Sequence, residues 1–394
     1  MNDDLNEKLI NSAWNGDLDT INILLTNNGA DVNYLTINNF SALTLAAWNG
    51  HLNIVKTLLE NGANINHANI FGNTALLLAA ENNHIEIVNT LIENNANINH
   101  ENNGNETALL LAAKNGHLNI VNVLITHNAN VNHINEDNDE TALILAARNG
   151  HHEIINLLID NFANINHENR YGDTALIWAV RNGHLNIVNS LIMQHNININ
   201  HENIEGYTAF KWAARNGYLD IANVIIAHNA NADHTNQINN NALVWSARNG
   251  YLNIVNSLIV HNTNINYVNE KGDTALIWST WKGYLEIVNT LLTKNVNVNY
   301  SDQSGYSPLM IAAENGFLEI TNALIENNAN LNYANQNGNT ALMMANKNNH
   351  IKIAWIIEQI NQLNQLKAEN LINAKEMILN INKALNEQLK KLMK

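Results

Sequence analysis

The stretch Ala46-Ala47-Trp48-Asn49-Gly50-His51-Leu52 decides the fold, because it recurs along the chain with few changes. Close copies occupy residues 146–151 and 213–219. A short marker precedes the copies, and its first residues stand 33 or 34 positions apart: Ser41, Thr74, Thr107, Thr141, Thr174, Thr208, Asn241, Thr274, Ser307 and Thr340. A fixed period of this length is typical of a repeat array, so the 394 residues are not expected to form two or three globular domains.

Each repeat carries the signals of two short helices and a hairpin. A hydroxyl residue such as Ser41 before an apolar stretch predicts a helix N-cap, and Asn49-Gly50 predicts the end of that helix. Residues 61–66 predict a hairpin-like loop. A second helix between them is indicated by apolar residues at helical spacing: Leu52, Ile54, Val55, Leu58 and Leu59. Such a repeat cannot bury its apolar face alone, so neighbouring repeats are expected to stack around a continuous core.

The repeat resembles the ankyrin repeat, whose Thr-Pro-Leu-His-x-Ala signature stands here as Thr-Ala-Leu-x-x-Ala. Gly-His-Leu-x-Ile-Val and Ala-x-Ile-Asn elements also match, from residue 7 to about 360, and only Ser307-Pro308-Leu309 keeps the proline. Thr44 and Lys211 are among the residues that replace the signature histidine, which is expected to loosen one capping interaction. The resemblance implies an all-α repeat solenoid of about eleven helix-turn-helix-hairpin repeats, with the first helices on an inner, concave wall. It also implies that one asparagine of each loop bonds the neighbouring loop: Asn66, Asn99, Asn132, Asn166, Asn200, Asn266, Asn299 and Asn332.

The chain is expected to divide into a repeat array at 1–360 and a C-terminal segment at 361–394. In this segment one apolar position recurs every seven residues and two others lie between, which predicts an amphipathic helix: Leu371, Ile378, Leu385 and Leu392, with Ala374 and Ile381. Two roles stay open for it, a cap over the apolar end of the last repeat and a dimerisation helix. Gln388 at a core position and the short length weaken the coiled-coil interpretation.

Composition excludes several classes of function. The formal charge of −15 repels a phosphate backbone, so general nucleic-acid binding is not expected. Cysteine is absent, which excludes disulfides and thiolate metal sites. Neither a signal peptide nor a membrane span is predicted, so we expect a cytoplasmic protein or one delivered to a host cytoplasm without a cleaved signal.

Seventeen histidines suggest a metal site at first sight, but sixteen of them fall in register with the repeat. Stacked helices lie ~8–10 Å apart, so equivalent histidines of successive repeats cannot share one tetrahedral ion. Neither a metal nor another cofactor is predicted. Six histidines at the start of the second helix are expected to be structural: His51, His84, His117, His151, His184 and His350.

Two rows of side chains break the uniformity of the repeat. Where early repeats have leucine, as at Leu45 and Leu145, repeats six to nine have Trp178, Trp212, Trp245 and Trp278. Three positions later, repeats five to nine have Arg148, Arg181, Arg215, Arg248 and Trp281. Residues i and i+3 share a helix face, so stacking predicts a tryptophan row beside an arginine row on the first helices. The residues expected to extend this basic, aromatic region are Arg170, Tyr171, Lys211 and Lys271.

Arginine and tryptophan are frequent binding hot spots, which favours a protein–protein interaction scaffold or adaptor. The predicted partner is a protein with an acidic and apolar segment, held in the concave groove of repeats five to nine. Three alternatives remain: tryptophans that only widen the packing, a nucleotide or small anion bound between the rows, and self-association through the C-terminal helix. No nucleophile elbow, phosphate loop or metal-ligand spacing is found, so an enzyme is not expected.

The asparagine and isoleucine bias, combined with an ankyrin-type array, resembles proteins of intracellular bacteria, their phages and large viruses. Such arrays often act on host proteins. By this analogy alone, a host-directed effector is one form that the predicted binding function would take.

Overall fold

The computed structural model describes residues 2–26, 29–233 and 241–392, with side chains except at 2, 374, 378, 380–382 and 384–392. The described residues form 22 helices and no extended strand, and isolated antiparallel bridges such as Glu168 to Thr174 lie in the hairpins. The helices come in pairs, which confirms the all-α architecture of eleven repeats. The chain divides into two compact units, Met1–Asn231 and Ala232–Lys394.

In each repeat an odd-numbered first helix is followed by an even-numbered second helix. The first compact unit contains repeats one to seven: α1 (Asn2–Asn15), α2 (Leu18–Thr26), α3 (Ala42–Asn49), α4 (Leu52–Glu60), α5 (Ala75–Glu81), α6 (Ile85–Glu93), α7 (Ala108–Asn115), α8 (Leu118–Thr126), α9 (Ala142–Asn149), α10 (His152–Asp160), α11 (Ala175–Arg181), α12 (Leu185–Ile192), α13 (Ala209–Asn216) and α14 (Leu219–Ala227). The second contains repeats eight to eleven: α15 (Ala242–Asn249), α16 (Leu252–Val260), α17 (Ala275–Trp281), α18 (Leu285–Leu292), α19 (Pro308–Asn315), α20 (Leu318–Glu326), α21 (Ala341–Lys347) and α22 (Ile351–Leu392).

The start of each first helix from repeat two onward is set by its N-cap residue. The Thr174 side chain accepts a hydrogen bond from the Ile177 N–H, and Asn241 caps repeat eight in the same way. Ser41 and Thr44 cap each other's backbone N–H. Thr44, one of the replacements of the signature histidine, therefore supplies a capping bond of its own at this repeat. Each such cap contributes about 1 kcal/mol.

The end of a first helix is coupled to the next repeat. Gly50 ends α3 in the left-handed region with φ of 82°, and a Cβ atom added there would lie 2.7 Å from the His84 ring. The Nε2–H of His84 donates to the Trp48 carbonyl oxygen across 2.9 Å. Glycine in one repeat thus leaves the space that histidine of the following repeat fills. The same bond to the preceding repeat is made by all six histidines predicted to be structural, His51, His84, His117, His151, His184 and His350.

The asparagine position of the loops links successive hairpins, as the family resemblance implies. Asn66 Oδ1 accepts a hydrogen bond from the Asn97 N–H at 2.8 Å. Asn332 lies in the last hairpin, before repeat eleven. The other predicted asparagines make the bond to the next hairpin: Asn99, Asn132, Asn166, Asn200, Asn266 and Asn299.

The core lies between the two helices of each repeat and its neighbours. Leu43 of a first helix and Ile54 and Leu58 of the second are at most 1% exposed. Burying one such side chain contributes about 1.5–3 kcal/mol, so the apolar stripes stabilise the stack.

The last helix, α22, runs without a break across the boundary expected at residue 360. Its first turns are the second helix of repeat eleven, where Ile353 and Ile357 are buried. From Gln362 onward every described side chain is exposed, so these side chains do not cover the last repeat. The side chains of Ala374, Ile378, Ile381, Leu385, Gln388 and Leu392 lie outside those described. The helix has the predicted secondary structure, and its role as a cap or a dimerisation segment stays a prediction.

Candidate functional site

In the first compact unit the predicted tryptophan and arginine rows interleave. The guanidinium carbon of Arg181 lies 4.8 Å from the ring centroids of both Trp178 and Trp212. Arg148 lies 5.4 Å from Trp178, and Arg215 lies 5.0 Å from Trp212. Guanidinium groups and indole rings therefore alternate along the first helices, within the ~6 Å at which cation–π attraction acts.

Burial differs between the two rows. Trp212 is only 8% exposed, whereas the side chains of Arg181 and Arg148 are 41% and 28% exposed. Here the Trp212 indole is packed, whereas both arginine side chains keep part of their surface exposed. Packing by tryptophan and exposure of arginine thus occur together.

Two of the arginines pair with buried carboxylates that the repeat pattern alone does not indicate. Arg148 Nη1 donates to Glu140 Oε1 at 2.6 Å, and Arg181 Nη1 lies 3.8 Å from Asp173 Oδ2. Glu140 and Asp173 are 1% and 2% exposed. Burial raises the pKa of both carboxyl groups, and their arginines oppose that rise in part. The row is therefore less cationic than its arginine count suggests.

In repeat seven an aromatic residue takes the place of the carboxylate. Tyr207 stacks on Trp212 with ring centroids 4.8 Å apart, and its hydroxyl oxygen accepts a hydrogen bond from Arg215 Nη1 at 3.1 Å. The tyrosine thereby orients Arg215 without neutralising it.

These partners follow one spacing in the sequence. In five repeats the residue before the N-cap contacts the residue eight positions later, at the end of the first helix. Repeats with a described contact of this kind have the pairs Phe40–Trp48, Glu106–Lys114, Glu140–Arg148, Asp173–Arg181 and Tyr207–Arg215. In the sequence these pairs are side chains that can interact and that stand at positions i and i+8. Neither helix nor strand periodicity predicts a contact at this spacing.

Lys211 does not extend the basic face, and that expectation is wrong. Its side chain is 1% exposed, and Nζ donates to the Gly206 carbonyl oxygen at 2.6 Å. It occupies the inner position that Leu77 and Ile144 fill in other repeats. Burial lowers the pKa of Lys211 to about 8. The other residues expected to extend the region are exposed on their hairpins: Arg170, Tyr171 and Lys271.

A cleft of about 330 Å³ lies between the first helices of repeats six and seven and the hairpins that precede them. Trp178, Arg181 and Trp212, three of the predicted site residues, line it. Tyr171 and Ile204 of the hairpins also line it and are 48% and 62% exposed. The indole N–H groups of Trp178 and Trp212 are buried and have no acceptor in the part of the chain described. The cleft therefore combines apolar surface with an exposed guanidinium.

The second compact unit carries the other four predicted residues. The Arg248 guanidinium lies 5.2 Å from the Trp245 ring and 4.3 Å from the Trp278 ring. Trp245 is buried, and Trp278 is half-buried. Trp281 stands where the preceding repeats have arginine and is 42% exposed.

The described residues support neither a metal site nor a membrane-spanning helix. Across 2–26, 29–233 and 241–392, no group of three or more histidine, aspartate or glutamate side chains is placed to hold a metal ion. Within the same residues, no helix combines the length and apolar character that crossing a membrane requires.

Comparison with known families agrees with the repeat architecture. A family model described as ankyrin repeats, in three copies, matches residues 9–102, 66–137, 94–169, 163–236, 210–302 and 294–365. None of the curated proteins compared matches the chain. Ankyrin repeats are generally protein–protein interaction modules and typically non-enzymatic scaffolds. With matches over most of its length, the chain belongs to the ankyrin repeat family.

Proposed function

We propose that the chain binds a partner protein along the first helices of repeats five to seven, anchored in the cleft between Trp178 and Trp212. The observation that carries this proposal is the combination inside the cleft of apolar surface and one half-exposed guanidinium.

The chemistry of the cleft favours an acidic residue beside an apolar one. Arg181 Nη1 lies 3.8 Å from Asp173, beyond hydrogen-bond distance, so its planar fork retains donors for a carboxylate of the partner. Tyr171 and Ile204 offer exposed apolar surface at the rim. In the second compact unit, Arg248 between Trp245 and Trp278 offers a comparable arrangement.

The nucleotide or small-anion alternative receives less support. A phosphate group carries about two negative charges, more than Arg181 can balance beside Asp173, whereas a partner carboxylate carries only one. Glu205 adds a further carboxylate to the lining of the cleft.

Peptide display tests the proposal without the natural partner. Peptides selected on the wild-type chain are expected to be enriched in aspartate or glutamate next to large apolar residues. Trp178→Leu/Trp212→Leu is expected to weaken their binding about tenfold or more, the effect of removing a hot spot. Leucine stands at the same position in repeats two to five, so the variant is expected to fold.

Trp355→Leu is the matched control, because this tryptophan is 61% exposed on α22 and lies outside the site. Equal affinities for the wild type and the double variant would contradict the assignment of the cleft.

A scaffold or adaptor is the general context of this function, and a host-directed effector is the narrower form. The narrower form requires that the natural partner be a host protein.

A further inference from the structure

Repeat nine departs from the pairing at i and i+8. Asp273 stands at the position of Glu140 and Asp173, but the residue eight positions later is Trp281, where an arginine would complete the pair. Glu140 and Asp173 are covered by their arginines and almost fully buried, whereas Asp273 is half-buried and Trp281 is 42% exposed. The acidic half of the pair is present without its basic half.

The surroundings of Asp273 do not replace the missing cation. Burial raises the pKa of its carboxyl group, and the charge of Asp302 on the next hairpin raises it further. Asn269 Nδ2 donates to Asp273 Oδ2 at 3.3 Å, and Trp278 also lies close enough to lower the pKa. Lys271, exposed on the hairpin, lowers it least. No described cation forms an ion pair with Asp273 within 4.0 Å.

We propose that Asp273, Trp278 and Trp281 form an anchor for an arginine side chain of a partner protein. The incoming guanidinium completes at Asp273 the charge pair that Arg148 and Arg181 complete in their own repeats. It pairs with the carboxylate and lies against the indoles, as Arg181 pairs with Asp173 and lies over Trp178. This inference rests on the proposed protein-binding function and names a second element that the partner must carry.

The repeat itself indicates arginine as the occupant. Three successive repeats of the first compact unit place a guanidinium at this position, each over a tryptophan ring at 4.8–5.4 Å: Arg148, Arg181 and Arg215. A planar guanidinium suits both a carboxylate and an aromatic face, whereas an ammonium is a compact, strongly hydrated charge. The negative charges of Asp273 and Asp302 disfavour an acidic occupant.

The experiment uses the full chain labelled with fluorine on its tryptophans, whose eight signals report on each indole. The probe is acetyl-arginine amide, and its neutral isostere acetyl-citrulline amide is the control ligand. Arginine amide is expected to shift the signals of Trp278 and Trp281 in a saturable manner, and citrulline amide is not. Asp273→Asn is expected to weaken binding up to about fivefold, the effect of losing an exposed ion pair while the cation–π contact remains.

Trp281→Arg provides an independent test, because it restores the in-chain pair found in repeats five and six and fills the place of the probe. It is expected to abolish the shift of Trp278, and since arginine is native to this position in four repeats, we expect it to fold. Equal shifts with arginine and citrulline amides, or equal binding by the wild type and both variants, would overturn the proposal. The two proposals can fail separately. If the probe binds at Trp281 but the Trp178→Leu/Trp212→Leu variant binds its display peptide as tightly as the wild type does, only the assignment of the cleft is contradicted.

Discussion

Asp173 and Arg181 stand eight residues apart, and their Oδ2 and Nη1 atoms lie 3.8 Å apart in the structure. The contact ties the hairpin before the first helix to the last turn of that helix. Glu140 and Arg148 make the same connection one repeat earlier, at 2.6 Å. In this part of the array the first-helix face is thus held by charge pairs within repeats five and six and by guanidinium–indole contacts between repeats.

The first prediction concerns the cost of breaking such a pair. Arg148→Met leaves the Glu140 carboxylate, 1% exposed, without its charged partner. We expect a loss of about 1–3 kcal/mol in the free energy of unfolding, because a buried acceptor keeps its desolvation cost when its donor is removed. Urea denaturation at neutral pH measures the change.

Glu140→Gln is the control for this prediction. It retains an acceptor for Arg148 and removes the buried charge, so it is expected to cost less than Arg148→Met. A larger loss for the glutamine variant would show that the carboxylate, and not the arginine, is the more important partner.

The second prediction concerns the indole contacts between repeats. Because Arg181 lies 4.8 Å from Trp212 of the next repeat, the substitutions Arg181→Gln and Trp212→Leu are expected to be coupled. A double-mutant cycle measured by urea denaturation is expected to give about 0.5–1 kcal/mol of coupling. Lys56→Gln on α4, exposed and in repeat two, is the control and is expected to be additive with Trp212→Leu. Additivity of both pairs would exclude a cation–π contribution.

The sequence predicts the helices well because their signals are local. The period, the N-cap residues and the apolar stripe each act within one repeat, and the asparagine and histidine bonds recur in the repeats that carry those residues. The tryptophan and arginine rows also follow from i and i+3 spacing. Their place in one cleft with Tyr171 and Ile204 depends on how two hairpins approach two helices, which no local pattern specifies.

The charges are harder to predict, because a charged residue is exposed or buried according to its register. From the sequence Lys211 is predicted to be an exposed charged residue. It stands, however, at the inner position of the first helix, where Ile144 and Leu77 are buried. Glu140 lies in the acidic stretch 136–140 just before an N-cap, a setting typical of solvated side chains, yet it is buried against Arg148. Comparing each charged residue with the residues at the same position of the other repeats would reveal that Lys211 and Glu140 occupy inner positions.

The third prediction separates two roles of glycine. Gly50 and Gly62 both have φ of 82°, but an added Cβ meets the His84 ring at 2.7 Å only at Gly50. Gly62→Ala is expected to cost about 1–2 kcal/mol for the left-handed backbone alone. Gly50→Ala is expected to cost about 1–3 kcal/mol more, the usual range for overpacking.

Thermal or urea unfolding of the two variants measures this difference. In a His84→Ala background the ring is absent, so the additional cost at Gly50 is expected to disappear. Equal losses at the two glycines would show that the histidine ring moves aside without cost.

The fourth prediction is a pH dependence caused by Lys211. Burial lowers its pKa to about 8 in the folded chain, from the ordinary value of 10.5. Between these two values the unfolded chain binds more protons at this residue than the folded chain does. Stability contributed by Lys211 therefore rises with pH from about 8 to 10.5, since deprotonation relieves the cost of the buried charge.

Lys211→Met tests this dependence, because methionine fills a similar volume and does not titrate. The variant also loses the bond from Nζ to the Gly206 carbonyl, which shifts its free energy of unfolding by a constant amount. The slope of that free energy with pH is therefore the informative quantity. The free energy of unfolding of the wild type is expected to rise relative to that of Lys211→Met between about pH 7.5 and pH 9.5. Other lysines and tyrosines titrate in both proteins and cancel in the difference. Parallel profiles would mean that Lys211 keeps its ordinary pKa, and hence that water reaches its ammonium group in the folded chain.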